Sequence, residues 1–325
     1  MNQDSSIVQE ALHDYSIKYK SFEWIGQSAN TIYKITDQEN NSYSLRIHTS
    51  KSGTLDSTWI ERDVIHSEMI WLENLSCDSD LTVPVPVRNS HGEFITEIKS
   101  TFCTLLKWVN GEQKPFITSV DEAGSIGEMI GRLHKHSSMR GVPRHFHRPS
   151  FDTFRILQAL EKLKALADTG QLEAAYAETL QLAGQRITQM MDSLQRTPLN
   201  WGIIHADLIP SNIVFHNGEA RPIDFGACGF GYFLFDLGWC FSYIHPALRQ
   251  PLLAAYSKHY ELPDNYIELL EGFLIAGQLE TMNFWLGLPD FEQWLPQHIG
   301  KLCEREVASF LKNDSFLFSG TPYWE

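Results

Sequence analysis

Three oxygen-bearing side chains stand out by type and spacing. His205-Ala206-Asp207-Leu208-Ile209-Pro210-Ser211-Asn212 is followed, twelve positions after Asn212, by Asp224-Phe225-Gly226. A carboxylate such as Asp207 can orient an attacking hydroxyl and accept its proton. Asn212 and Asp224 offer hard oxygen ligands of the kind a divalent cation such as Mg2+ prefers. The neighbouring residues indicate how the three are presented. Trp201-Gly202-Ile203-Ile204 reads as a short apolar strand leading into the loop, and Ile213-Val214-Phe215 as a strand leaving it. His216-Asn217-Gly218-Glu219 holds an Asn-Gly pair, the strongest short hairpin signal. Pro222-Ile223 then leads into Asp224. Two carboxylates and one amide are therefore expected at the ends of paired strands, facing one cleft.

The combination of His-x-Asp, Leu208, Asn212 and a downstream Asp-Phe-Gly resembles the catalytic loop and metal-binding triplet of the protein-kinase-like superfamily, departing from it at Ala206. The resemblance implies Asp207 as catalytic base and Asn212 and Asp224 as metal ligands; His205, whose strand neighbours are apolar, reads as a brace for the loop, with an acid role as the alternative. Only Ala227 to Phe235 separates Gly226 from Asp236-Leu237-Gly238-Trp239, and no Ala-Pro-Glu follows. That is too short for a peptide-docking activation loop. Ala206 also stands where protein kinases carry the Arg that reads loop phosphorylation. This version of the site resembles the aminoglycoside phosphotransferase and choline kinase group, which includes the homoserine, fructosamine and methylthioribose kinases. Asp236 matches that group's later Asp, with a structural role beneath the catalytic loop. Gly131-Arg132-Leu133-His134 resembles its G-x-L-H helix. The likeness runs from about residue 22 to about residue 280.

The resemblance implies transfer of the ATP γ-phosphoryl group to a hydroxyl of a small molecule, with ATP and Mg2+ as cofactors. It also implies an α+β, bilobal protein-kinase-like fold: a β-rich N-terminal nucleotide-binding lobe over residues 1–107 and a mostly helical C-terminal lobe over 108–325, carrying the catalytic loop and the acceptor site. The pattern of elements agrees. Strands are expected at 22–25, 31–35 and 42–48, with a polar turn at 37–41. Ile60, Val64, Met69, Leu72 and Leu75 predict one helix over 56–75. Val83-Pro84-Val85-Pro86 is extended, and strands follow at 94–98 and 102–108. Residues 126–134, 151–167 and 172–194 read as helices, and helices again follow the catalytic loop to the end.

A nucleotide cleft needs a small-residue turn over the phosphates. Gly26-Gln27-Ser28-Ala29-Asn30 fits by position, with Gly26, Ser28 and Asn30 as the candidate contacts; an ordinary hairpin turn is the alternative. A kinase lobe also needs a strand cation held by a helix carboxylate. Arg46 stands where the pattern has Lys, and its larger, planar, bidentate head changes the phosphate geometry. Glu68 is the favoured partner and Glu61, two turns earlier, its rival. The adenine is expected along Leu105 to Gly111, on backbone groups at Lys107 and Val109.

Composition sets the limits. A net charge of -14 argues against a nucleic-acid partner and suits a cationic or amine-bearing one. Five cysteines without C-x-x-C spacing point to neither zinc nor disulfides and fit a reducing cytoplasm. Residues 1–20 are polar and lack an apolar signal core, and no apolar run reaches membrane-spanning length. Leu279 to Trp285 and Asp290 to Trp294 mix acids with aromatics, either to hold an amine or simply as a solvated amphipathic face. The acceptor stays open among aminoglycosides, choline-like amines, homoserine and sugars, and oligomeric state is not indicated. Two other functions compete: a catalytically weak, kinase-shaped nucleotide-binding regulator, given Arg46 and the glycine-poor turn, and a Ser/Thr protein kinase.

Overall fold

The computed structural model describes residues 3–27, 30–49, 57–288 and 290–320. The chain divides into two compact units, Met1–Asn110 with Pro143–Arg148, and Gly111–Val142 with Pro149–Glu325. The class is α+β, with a sheet-built first unit and a largely helical second.

The first unit opens with a helix, α1 (Gln3–Asp14), inside a stretch whose composition is polar. Its polar residues hide an apolar stripe: Ile7, Val8, Ala11 and Leu12, with Tyr15 just beyond, are buried together against the sheet. The Tyr15 hydroxyl donates to the carbonyls of Phe94 and Cys103, at 2.5 and 3.0 Å. The sheet follows as β1 (Tyr19–Gln27), β2 (Thr31–Asp37) and β3 (Ser42–His48). Then come α2 (Arg62–Asp78), β4 (Pro86–Val87), β5 (Ile95–Ile98) and β6 (Thr101–Lys107). Strand order is β1-β2-β3-β6-β4, with β5 also on β6 and every pairing antiparallel. The α2 helix starts later than position 56. A 3-10 turn, Ser57–Ile60, comes first, and Glu61 caps the helix in an extended conformation; position 56 lies outside the described residues. Alternation along β3 assigns the faces. Leu45 and Ile47 join the cluster under α1, so Arg46 and His48 occupy the opposite face.

The second unit begins with β7 (Glu112–Gln113) and α3 (Val120–Arg140), which starts at a reciprocal cap between Ser119 and Glu122. After β8 (Ser150–Phe151) come α4 (Thr153–Asp168) and α5 (Ala174–Ser193). The strands β9 (Trp201–Ile204), β10 (Ile213–His216), β11 (Glu219–Pro222) and β12 (Gly229–Tyr232) frame the motif. They form two small sheets, β11-β10-β7 and β8-β12-β9. Helices α6 (Phe233–Phe241), α7 (Pro246–Tyr256), α8 (Tyr266–Trp285), α9 (Phe291–Leu302) and α10 (Ala308–Lys312) follow, the last two joined through a π turn, Cys303–Val307. Gly127 lets α3 meet α7 closely, since a Cβ there would lie 2.0 Å from the Leu252 carbonyl oxygen. Past α10, a buried pair grips the chain. Glu271 on α8 accepts from the Ser315 hydroxyl and the Phe316 and Leu317 amides, and Arg249 on α7 donates to the Leu317 carbonyl. Among the described residues no helix is long and apolar enough to cross a membrane.

Candidate active site

Strand β9 delivers the loop and Asp236 fixes its shape. The fully buried Asp236 carboxylate accepts the His205 amide on Oδ2 at 2.9 Å and the Ala206 amide on Oδ1 at 2.7 Å. Its Oδ2 also meets Nε2 of buried His134, at 3.1 Å. A carboxylate can only accept, so this His134 nitrogen donates, while its Nδ1 lies 3.1 Å from the Tyr256 hydroxyl. The His134 ring also stacks on Phe233, 4.7 Å between centroids. Together these hold Ala206 at φ +64°, a left-handed conformation that costs a side-chain-bearing residue roughly 1–2 kcal/mol. The turn at Ala206 presents Asp207.

His205 is buried and its ring lies 4.5 Å from that of Phe225. Nε2 faces the Ile223 carbonyl at 3.0 Å, while the Asp207 amide reaches Nδ1 at 3.3 Å. One ring nitrogen faces a carbonyl and the other takes an amide, and the ring braces the loop.

Both Asp207 carboxylate oxygens are engaged. Asn212 Nδ2 donates to Oδ2 at 2.7 Å and to the Asp207 carbonyl at 2.9 Å; Trp239 Nε1 lies 3.3 Å from Oδ1. Burial pushes the Asp207 carboxyl up to about 6; neighbouring His205 opposes the rise, the nearby Asp224 charge adds to it, and the Trp239 and Asn212 hydrogen bonds oppose it. The β10–β11 hairpin returns the chain through Asn217 and Gly218, at φ +50° and +81°, the two positive values a tight hairpin turn requires. Asp224 follows in a left-handed conformation, φ 57° and ψ 67°. Gly226 keeps room beside it, because a Cβ there would sit 3.2 Å from Asp224 Oδ1. The structure thus brings Asp207 and Asn212 into direct contact and sets Asp224 within electrostatic reach of Asp207.

With Asn212 Nδ2 turned to Asp207, its Oδ1 is the atom available to a cation, together with the Asp224 carboxylate. Among the described residues no three His, Cys, Asp or Glu side chains gather as a metal cage. Two protein oxygens suit Mg2+ carried in by a polyphosphate, which keeps most of its shell as water and phosphate oxygen.

In the first unit, Arg46 Nη1 pairs with Glu68 Oε1 at 2.6 Å, both almost fully buried. Glu61 is exposed at the start of α2, so Glu68 rather than its rival holds the arginine. Gly26 lies in β1 opposite Ile32, next to a register shift, and Asn30 follows the strand; Ser28 lies outside the described residues. Lys107 ends β6 with its amide given to the Val85 carbonyl at 2.8 Å, and Val109 is buried just beyond.

Sequence reasoning assigned no role to Trp239. Its signal was present: Asp236 and Trp239 are three residues apart on α6, so one helical face presents both to the loop. A line of rings continues outward, with Trp285 6.3 Å from Trp239 and Trp294 5.4 Å from Trp285. His298 flanks them, kept neutral by burial at about 4. The acids of that region are less available than the sequence suggested, since Glu280 is paired with Arg155.

Comparison with known proteins identifies the family and several relatives. The model of the phosphotransferase enzyme family matches residues 24–271. A homoserine kinase from Polaromonas naphthalenivorans is 26% identical over 248 residues, covering 71% of this chain and 72% of that one. A microcompartment-associated aminopropanol kinase superposes with a TM-score of 0.78 at 24% identity, covering 97% of this chain and all of the other. Amicoumacin kinase hAmiN in complex with AMP-PNP, Ca2+ and Ami superposes with a TM-score of 0.75 at 17% identity, over 99% of this chain and 96% of that one. The chain belongs to the phosphotransferase enzyme family.

Proposed function

We propose that this chain moves the γ-phosphoryl group of ATP to the hydroxyl of a small, amine-bearing alcohol. The observation that carries the proposal is the Asp207 carboxylate, held at both oxygens and lifted by burial into the range of a working base. Asp207 orients the acceptor hydroxyl and takes its proton as the oxygen attacks phosphorus. Mg2+, held by Asn212 Oδ1 and Asp224, would supply neutralisation of the phosphate charge. Arg46, anchored by Glu68, takes the phosphate tail, with Gly26, Ser28 and Asn30 as further phosphate contacts. The Lys107 amide is already used by Val85, so an adenine edge bonds the Lys107 carbonyl or the Val109 amide. Residues 1–107, with Val109 just beyond, supply the nucleotide contacts, and 108–325 carry the catalytic loop and acceptor contacts.

The amine rests on three supports: the -14 net charge, the neighbouring rings of Trp285 and Trp294, and the amino-alcohol acceptors in the names of the homoserine and aminopropanol kinases. Five free thiols support a reducing, cytoplasmic setting. The test is ADP release with Mg2+ and ATP against amino alcohols, hydroxy amino acids, choline, aminoglycosides and sugars. An amine-bearing alcohol should give the highest kcat/KM, and Asp207→Ala should lower kcat by about 10²–10⁴-fold. Turnover that prefers uncharged sugars removes the amine; turnover indifferent to Asp207→Ala removes the mechanism.

A further inference from the structure

Asp207 follows a strained turn and its carboxyl group is free to rotate about Cβ–Cγ, a broad, roughly two-fold torsion. Asn212 fixes one oxygen only, so a single hinge would remain. Trp239 supplies the second hold. Its Nε1 lies 3.3 Å from Oδ1, while Asn212 Nδ2 lies 2.7 Å from Oδ2. The indole cannot swing aside. Trp239 is 4% exposed, Tyr243 stands edge-on to it at 5.2 Å, and Trp285 closes on it at 6.3 Å. Helix α8 is shaped around the ring, since a Cβ on Gly277 would lie 2.9 Å from Trp239 Cε3.

The chemistry of the donor matters as much as its place. An indole N–H donates and never accepts, so it cannot take the proton meant for Asp207. It is neutral, so it leaves the carboxylate its charge, which a lysine or arginine would offset. A serine or threonine hydroxyl could rotate away; a packed indole cannot.

We propose that Trp239 is the positioning residue of the catalytic carboxylate, its N–H and the Asn212 amide together setting the carboxyl plane so that a remaining lone pair of Oδ1 meets the acceptor hydroxyl. This rests on the phosphotransfer reading above, in which Asp207 is the base. Trp239 acts through Asp207 and makes no bond to substrate.

Two measurements test it. In the first, Trp239→Phe keeps a ring and removes the N–H. With the best acceptor from the panel, kcat should fall on the order of 10–100-fold while both KM values stay within about twofold. In the Asp207→Ala background the same substitution should change kcat by less than about twofold, since its target is gone. A kcat loss that multiplies fully in the double variant, or no loss in the single one, overturns the proposal. The second measurement needs no turnover. In protein carrying 15N-labelled indoles, the Trp239 signal is the one of nine that Trp239→Phe deletes, or Trp239→His should the first variant not fold. It should move upfield in Asp207→Ala, as a donor released from a carboxylate does. An unmoved signal refutes the hydrogen bond. A moved signal in a protein that phosphorylates nothing retains the hold and rejects the phosphotransfer reading instead.

Discussion

Asp236 is where stability and catalysis meet, and Asp236→Asn separates their parts. The native carboxylate serves three donors: Oδ2 takes the His205 amide and His134 Nε2, and Oδ1 takes the Ala206 amide. An asparagine of the same shape retains one acceptor oxygen. Its best placement keeps that oxygen on the two-donor side and turns NH2 toward the Ala206 amide, where two donors then face each other across 2.7 Å. The loss is one charge-assisted bond, worth about 1.5–3 kcal/mol, plus a stranded buried N–H at about 1–3 kcal/mol. The bonds that remain weaken once the charge is gone. We expect about 3–5 kcal/mol of destabilisation, a large share of the 5–15 kcal/mol that typically holds a domain together. The Ala206 amide also maintains the left-handed turn, so Asp207 should lose its pose and kcat should fall with nucleotide affinity preserved. Urea unfolding followed by tryptophan fluorescence gives the first quantity, and nucleotide titration with steady-state kinetics the others. An unfolding free energy within about 1 kcal/mol of the parent would refute the account of Asp236 as the loop's anchor.

Three further outcomes follow from the same coordinates. Gly124 and Gly127 share α3 but not surroundings: Gly124→Ala meets nothing within 4 Å and should stabilise by up to about 1 kcal/mol through helix propensity, whereas Gly127→Ala drives a Cβ into the Leu252 carbonyl and should cost several times that, both read by thermal unfolding. Glu68→Gln removes the carboxylate charge that Arg46 Nη1 meets at 2.6 Å in a buried pair and should cost about 3–5 kcal/mol in chemical denaturation while raising KM for ATP. His48 is fully buried on the Arg46 face, and burial, with Arg46 and Arg148 nearby, holds it at about 3 against an ordinary 6.5. The unfolded chain therefore binds the extra proton first, so stability present above pH 6.5 is lost as pH falls toward 3. That amounts to about 2–3 kcal/mol between pH 7 and 4.5 from this residue, and His48→Gln should flatten that slope in pH-dependent denaturation.

The motif was legible because phosphotransfer chemistry narrows the residue choice. Asp207, Asn212 and Asp224 have few substitutes, and Asn217-Gly218 announces its turn through the backbone angles it permits. The pairing of Arg46 with Glu68 could be read as position plus charge, though only coordinates decided between Glu68 and Glu61. Helix α1 escaped because its burial comes from Ile7, Val8, Ala11 and Leu12 set among polar neighbours. The i, i+4 spacing of 7/11 and 8/12 was there, but average polarity masked it. The start of α2 was set too early because Ile60 continues the apolar period, yet Glu61 adopts an extended cap and breaks the helix there. Trp239 could be placed on a helix from sequence but not aimed. Its role depends on how α6 rolls against α8 and the loop, a tertiary fact decided by Gly277 and the neighbouring rings.

The grip on residues 315–317 has a consequence for how the protein ages. Removing that strap would open Glu271 and Arg249 to solvent from within the helical unit and expose the cavity that Phe316 and Leu317 fill. A protease that trims past Ser315 would leave a fragment inclined to unravel and be cleared, rather than a shortened copy that still consumes nucleotide.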